Sequence, residues 1–165
     1  MSWLTRRRSP SPPARGMRGL TLVELMVVLA VLAVVAAVAA PSFVETIRGN
    51  RLTAQVNEMV GALQTARAEA IRRNAAVQYC VRPAENRWTV SIKGGAELRR
   101  GDLAPGVQVA AHCVDFRADG IAYDPGTGAV LTDSTPAGRR QVTLEGTSLS
   151  RFIYVNVASV YVGKQ

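Results

Sequence analysis

An α+β fold, one long helix followed by antiparallel strands, is predicted by two observations. Apolar residues recur at helical spacing as far as residue 75, and beyond it the period shifts towards two while turn-forming residues become frequent. A third observation, a long uncharged run near the N-terminus, makes the first half of the helix a membrane span. The 165 residues suit one modest domain plus an accessory segment.

The first 18 residues carry Arg6, Arg7, Arg8, Arg15 and Arg18, no acid, and the run Ser9-Pro10-Ser11-Pro12-Pro13, which forms neither helix nor core. They read as a leader. Leu25 to Val44 are twenty residues without a charge, long enough as a helix to reach about 30 Å, the thickness of bilayer hydrocarbon. The five leader Arg precede this run, whereas Glu45, Arg48, Arg51 and Glu58 after it cancel. That asymmetry keeps the leader cytoplasmic and sends the rest to the periplasm or exterior.

An ordinary secretory signal cut near Ala37-Val38-Ala39 is the competing reading, and it would make the chain an exported binding module. Glu24 at the mouth of the apolar run and Pro41 just past the cut speak against it. A twin-arginine signal fares worse, because Thr5-Arg6-Arg7-Arg8-Ser9-Pro10 lacks the hydrophobic pair expected after the arginines.

A carboxylate at the edge of hydrocarbon is costly unless it meets a cation, which makes Glu24 a functional candidate. Pro41 removes one helical hydrogen bond and should kink or locally open the helix at the bilayer exit. Beyond it Leu52, Val56, Met59, Leu63, Ala66 and Ala70 form one apolar face, with Gly49-Asn50 expected to soften the join. The predicted organisation is therefore 1–19 leader, 20–44 transmembrane helix, 45–75 amphipathic half of the helix and 76–165 β-rich domain.

Candidate strands after Asn74 are Val77–Val81, Arg87–Ile92, Val107–Ala111, Val114–Phe116, Ile121–Tyr123, Ala129–Thr132, Gln141–Leu144, Phe152–Val157 and Ser159–Val162. Pro83 to Asn86, Gly94-Gly95, Pro105-Gly106, Asp119-Gly120 and Asp124 to Gly128 punctuate them.

Composition argues against chemistry on a bound substrate. A single histidine makes a His-based metal cluster or a Ser/His/Asp relay hard to assemble. His112, Cys113, Asp115 and Cys80 are the nearest approach to a ligand set, but neighbours on a strand point to opposite faces, so no metal is expected there. No cofactor and no enzymatic activity are expected.

The motif Gly19-Leu20-Thr21-Leu22-Val23-Glu24, followed by the apolar run and Pro41, resembles the class III signal of type IV prepilins and type II secretion pseudopilins. The resemblance implies that an inner-membrane prepilin peptidase cuts between Gly19 and Leu20 and N-methylates Leu20. It also implies that Glu24 pairs with the charged amino terminus of a neighbouring subunit. Leu20 stands where the family usually has Phe. Loss of the five leader Arg takes the formal charge from +8 to +3, so most of the basicity is topological. A start at Met17 would leave only Met17-Arg18-Gly19 as leader.

Within that superfamily, Leu63-Gln64-Thr65-Ala66-Arg67-Ala68-Glu69-Ala70-Ile71-Arg72-Arg73-Asn74 leading into Val77–Cys80 is similar to the GspH/FimT branch, and Phe116-Arg117-Ala118-Asp119-Gly120 matches its middle-domain turn. The resemblance implies a pilin-like fold and a minor subunit of a type II secretion pseudopilus in the bacterial inner membrane. Its expected partners are prepilin peptidase, other pseudopilins or pilins and the inner-membrane assembly platform. The alternative is a minor pilin of a type IV pilus, with a role in DNA uptake. DNA-binding members carry a Gly-Arg-x-Arg turn near the end; here the stretch reads Ser159-Val160-Tyr161-Val162. Arg139, Arg140, Arg151 and Lys164 could still form a basic patch, but a few surface charges are usually just solvated, and DNA is not expected as a partner. An oxidising periplasm favours a disulfide between Cys80 and Cys113, although sequence does not show that their strands meet.

Overall fold

The computed structural model describes residues 21–135, 138–157 and 159–163, with position 41 described by its backbone alone. Helix α1 runs Leu22–Arg73 and is followed by nine strands: β1 Val77–Arg82, β2 Arg87–Ile92, β3 Glu97–Asp102, β4 Val107–Val109, β5 His112–Phe116, β6 Ala122–Tyr123, β7 Arg139–Leu144, β8 Ser150–Val155 and β9 Val160–Gly163. Compactness divides the chain into two units after Pro41.

Local chemistry starts and stops the helix. The Thr21 hydroxyl accepts the Glu24 N–H at 3.2 Å, satisfying one of the orphan donors of the first turn. At the other end Asn74 adopts a left-handed φ of 50°. Its N–H bonds the Ile71 carbonyl and the Ala75 N–H bonds that of Ala70, the pairing by which a left-handed residue closes off the last carbonyls. Gly49 and Asn50, expected to soften the helix, are both helical, and the Thr53 hydroxyl donates to the Gly49 carbonyl at 2.9 Å.

The second unit holds the core. Leu52, Val56, Met59, Leu63, Ala66 and Ala70 are all buried, so the helical stripe is the face that packs. Five strands form one antiparallel sheet in the order β3-β2-β1-β5-β6, and four form a second in the order β4-β7-β8-β9. On the first, Val77, Tyr79 and Val81 alternate inward beside Trp88, Val90, Val114 and Phe116. On the second, Val142, Ile153, Val155 and Val160 do the same. These residues and the helical stripe make one apolar cluster.

Two strand expectations need correction. Glu97–Asp102 was missed, because Glu97, Arg99, Arg100 and Asp102 hide the alternation of an exposed strand at the sheet edge, where charge guards against pairing with another chain. Ala129–Thr132 is not a strand; only a single bridge, Tyr123 to Val130, forms there. Asp124 holds this segment as a turn by accepting the N–H groups of Gly126 and Thr127.

Candidate assembly site

Gly19 and Leu20 lie outside the described residues. Glu24 sits in the first turn of α1, where a negative charge suits the helix dipole. Around it Leu22, Val23, Leu25, Met26, Val27 and Val28 are exposed, in contrast to the buried stripe of the second unit. This part of α1 is long and apolar enough to cross a membrane. Such a surface, rich in Leu and Val, needs lipid or other helices as its solvent. Thr21 was missed as a contributor, though the spacing Thr-x-x-Glu signals a helix start.

In the second unit the two branch-like segments meet. The Arg67 guanidinium lies 5.4 Å from the ring centroid of Phe116 and donates to the carbonyls of Asn156 and Val157 at 3.0 and 3.1 Å. Burial lowers its pKa from the ordinary arginine value. Gly120, at φ +74°, comes so near α1 that an added Cβ would stand 2.8 Å from Ile71 Cδ1. Glu69 receives Arg72 and Arg73, each at 2.6 Å, and hydrogen bonds from these two, Arg72 first, lower its pKa. The segment 63–74 thus positions the β-domain on the helix, and no substrate chemistry follows from it.

Cys80 and Cys113 stand directly opposite each other on β1 and β5, their Cα atoms 4.1 Å apart, joined by a disulfide. Beside them the buried Asp115 accepts Lys93 Nζ at 2.5 Å and Gln78 Nε2 at 2.8 Å. His112 points to the other face of β5, with its ring 6.0 Å from that of Tyr79 and Nδ1 2.9 Å from the Ala110 carbonyl. Burial pushes its pKa down to about 4, with the positive charge of Arg140 adding to the shift. Among the described residues no three His, Cys, Asp or Glu converge as metal ligands.

The basic residues near the C-terminus are divided. Arg139 lies 4.2 Å over the Phe152 ring on one face of the second sheet, while register puts Arg140 and Arg151 on the opposite face. Lys164 lies outside the described residues. Tyr154 and Tyr161 stack at 5.1 Å on the Arg139 face.

A family model described as type II transport protein GspH matches residues 55–158. The chain belongs to the GspH family. A model described as the prokaryotic N-terminal methylation motif matches residues 14–40, which enclose Gly19, Leu20 and Glu24. No curated protein matches the sequence. Two crystal structures of the type IV minor pilin FimU from Pseudomonas aeruginosa are similar to this GspH-family chain. One, at 17% identity and a TM-score of 0.53, aligns over 70% of this chain and 90% of its own. The other, at 16% and 0.50, aligns over 68% and 92%. At that identity the likeness speaks to the fold, which is pilin-like. The GspH-family chain thus combines a type II transport family match with an N-terminal methylation motif, on a pilin-like fold whose N-terminal helix is long and apolar enough to cross a membrane. Proteins of this type assemble with other pilins and are processed by prepilin peptidase.

Proposed function

We propose that this chain is a minor pseudopilin of a type II protein secretion pseudopilus. The observation that carries the reading is the GspH match over residues 55–158 behind a methylation motif over 14–40. In this account prepilin peptidase cuts between Gly19 and Leu20 on the cytoplasmic face and methylates Leu20. The subunit waits in the inner membrane with its β-domain in the periplasm, where Cys80 and Cys113 are kept oxidised. An inner-membrane platform then moves it into the pseudopilus.

Glu24 drives this step. Its carboxylate is costly at the edge of hydrocarbon, and pairing with the amino terminus of the subunit ahead offsets that cost. Lateral assembly is favoured because both charges are relieved together. Pro41 gives the helix a place to bend or loosen as the span leaves lipid for the filament.

The second reading, a minor pilin of a type IV pilus, draws support from the FimU likeness. Deleting the gene separates the two. Loss of exoprotein release with normal surface pili supports the pseudopilin, and loss of pili with normal secretion supports the pilin.

A further inference from the structure

We propose that the soluble unit carries a binding site for the headgroup of a zwitterionic aminophospholipid, formed by α1 and the β7–β8 turn at the membrane surface. A groove of about 550 Å³ is lined by Glu45, Thr46, Arg48, Gly49 and the turn Gly146 to Leu149. Its position comes from the sequence, because Glu45 directly follows Val44, the last residue of the uncharged run. The five residues Glu45 to Gly49 rise about 7 Å along a helix, the depth of one headgroup layer.

The groove's charges are complementary to such a headgroup. Glu45 and Arg48 are exposed one helical turn apart, and among the described residues neither makes an ion pair or hydrogen bond. Ser148 likewise brings an uncommitted hydroxyl, whereas the Thr46 and Thr147 hydroxyls already donate to the carbonyls of Ser42 and Leu144. A phosphoethanolamine group meets this set term by term. Its ammonium donates to the Glu45 carboxylate, and its phosphate accepts from the Arg48 guanidinium and the Ser148 hydroxyl. A choline headgroup has no N–H for Glu45, and a glycerol headgroup has no cation. Leu149, packed against the core, ties the occupied turn to the domain.

The inference rests on the membrane-anchored reading of α1, and the test keeps the two apart. The full-length chain is reconstituted in phosphatidylglycerol liposomes that also contain either phosphatidylethanolamine or phosphatidylcholine, and insertion is checked by flotation from alkaline carbonate. Amide hydrogen exchange of Glu145–Leu149 is then followed by mass spectrometry. The expected result is exchange about tenfold slower with phosphatidylethanolamine. Glu45→Gln or Arg48→Gln should erase the difference, and Arg48→Lys should retain most of it. Soluble phosphoethanolamine added to the phosphatidylcholine liposomes should give no protection; equal protection would overturn the lipid as the source. Equal exchange in the two membranes, with the chain inserted, overturns the headgroup site. A chain that stays behind in carbonate overturns the membrane reading and the site with it.

Discussion

Arg67 of α1 and Phe116 of β5 form a cation–ring pair, 5.4 Å from guanidinium carbon to ring centroid, at the point where the helix, the first sheet and the β8–β9 turn come together. One side chain therefore joins three parts of the domain. Arg67→Ala leaves two carbonyls without this donor and uncovers the ring, and should cost about 1 to 3 kcal/mol in urea unfolding. Arg67→Lys should recover only part of this, because one ammonium does not serve ring and both carbonyls as a planar fork does. A loss below the precision of the measurement would show that the pair is incidental.

The disulfide gives a second prediction. A domain beginning near Arg51 keeps the buried stripe and both sheets, so it should be soluble on its own and free of titratable thiols when exported to the periplasm. Cys80 and Cys113 are separated by 33 positions, and closing that loop contributes roughly 3 to 4 kcal/mol in the chain-entropy model. Reduction should lower its stability by about that amount. Two free thiols in non-reduced material would contradict this.

His112 should contribute to the acid sensitivity of the fold. Burial, assisted by Arg140 and opposed by the Ala110 carbonyl, holds its folded pKa near 4 against an ordinary 6.5. The native state therefore favours the neutral ring. Its contribution is fully present above about pH 6.5 and is lost as the pH falls towards 4, on the order of 3 kcal/mol. As the chain has one histidine, His112→Asn should flatten the stability profile in that window. An unchanged slope would place the acid sensitivity in the carboxylates.

The soluble domain should bind duplex DNA no better than a control of equal charge. Val160 and Val162 stand where DNA-binding relatives place Arg, and Arg139 faces away from Arg140 and Arg151. Gel shifts at low and moderate salt are the measurement. Sub-micromolar binding with a steep salt slope would reveal another basic surface.

How legible the molecule was depended on what kind of physics each part uses. The helical stripe from Leu52 to Ala70 reads directly, since burial on one face requires a period near 3.6. Trp88 and Val90 also read directly, because apolar residues two apart share one face of a strand. Glu97–Asp102 did not, as an edge strand is held by backbone hydrogen bonds to β2 and leaves its side chains to solvent. The meeting of Arg67 with Phe116, and of Gly120 with Ile71, was hidden because both are contacts distant in sequence. The groove at Glu45 and Arg48 was hidden too, since its far wall comes from the β7–β8 turn. Glu24 was legible because a carboxylate beside an apolar run breaks the local rule.

The central claim is that the chain is processed after Gly19 and assembles laterally through Glu24. Gly19→Val should leave the Arg-rich leader attached, since the peptidase must approach the backbone closely. Glu24→Val should behave differently: insertion and cleavage survive, while crosslinking to neighbouring pilins is lost. The two defects are separable, and one measurement reads both. Mass spectrometry of the N-terminus after coexpression with prepilin peptidase, alongside crosslinking to other pilins, should find a methylated Leu20 in the natural chain and in Glu24→Val, with crosslinks only in the former. A protein beginning near Ala40, or unimpaired crosslinking of Glu24→Val, would contradict the account.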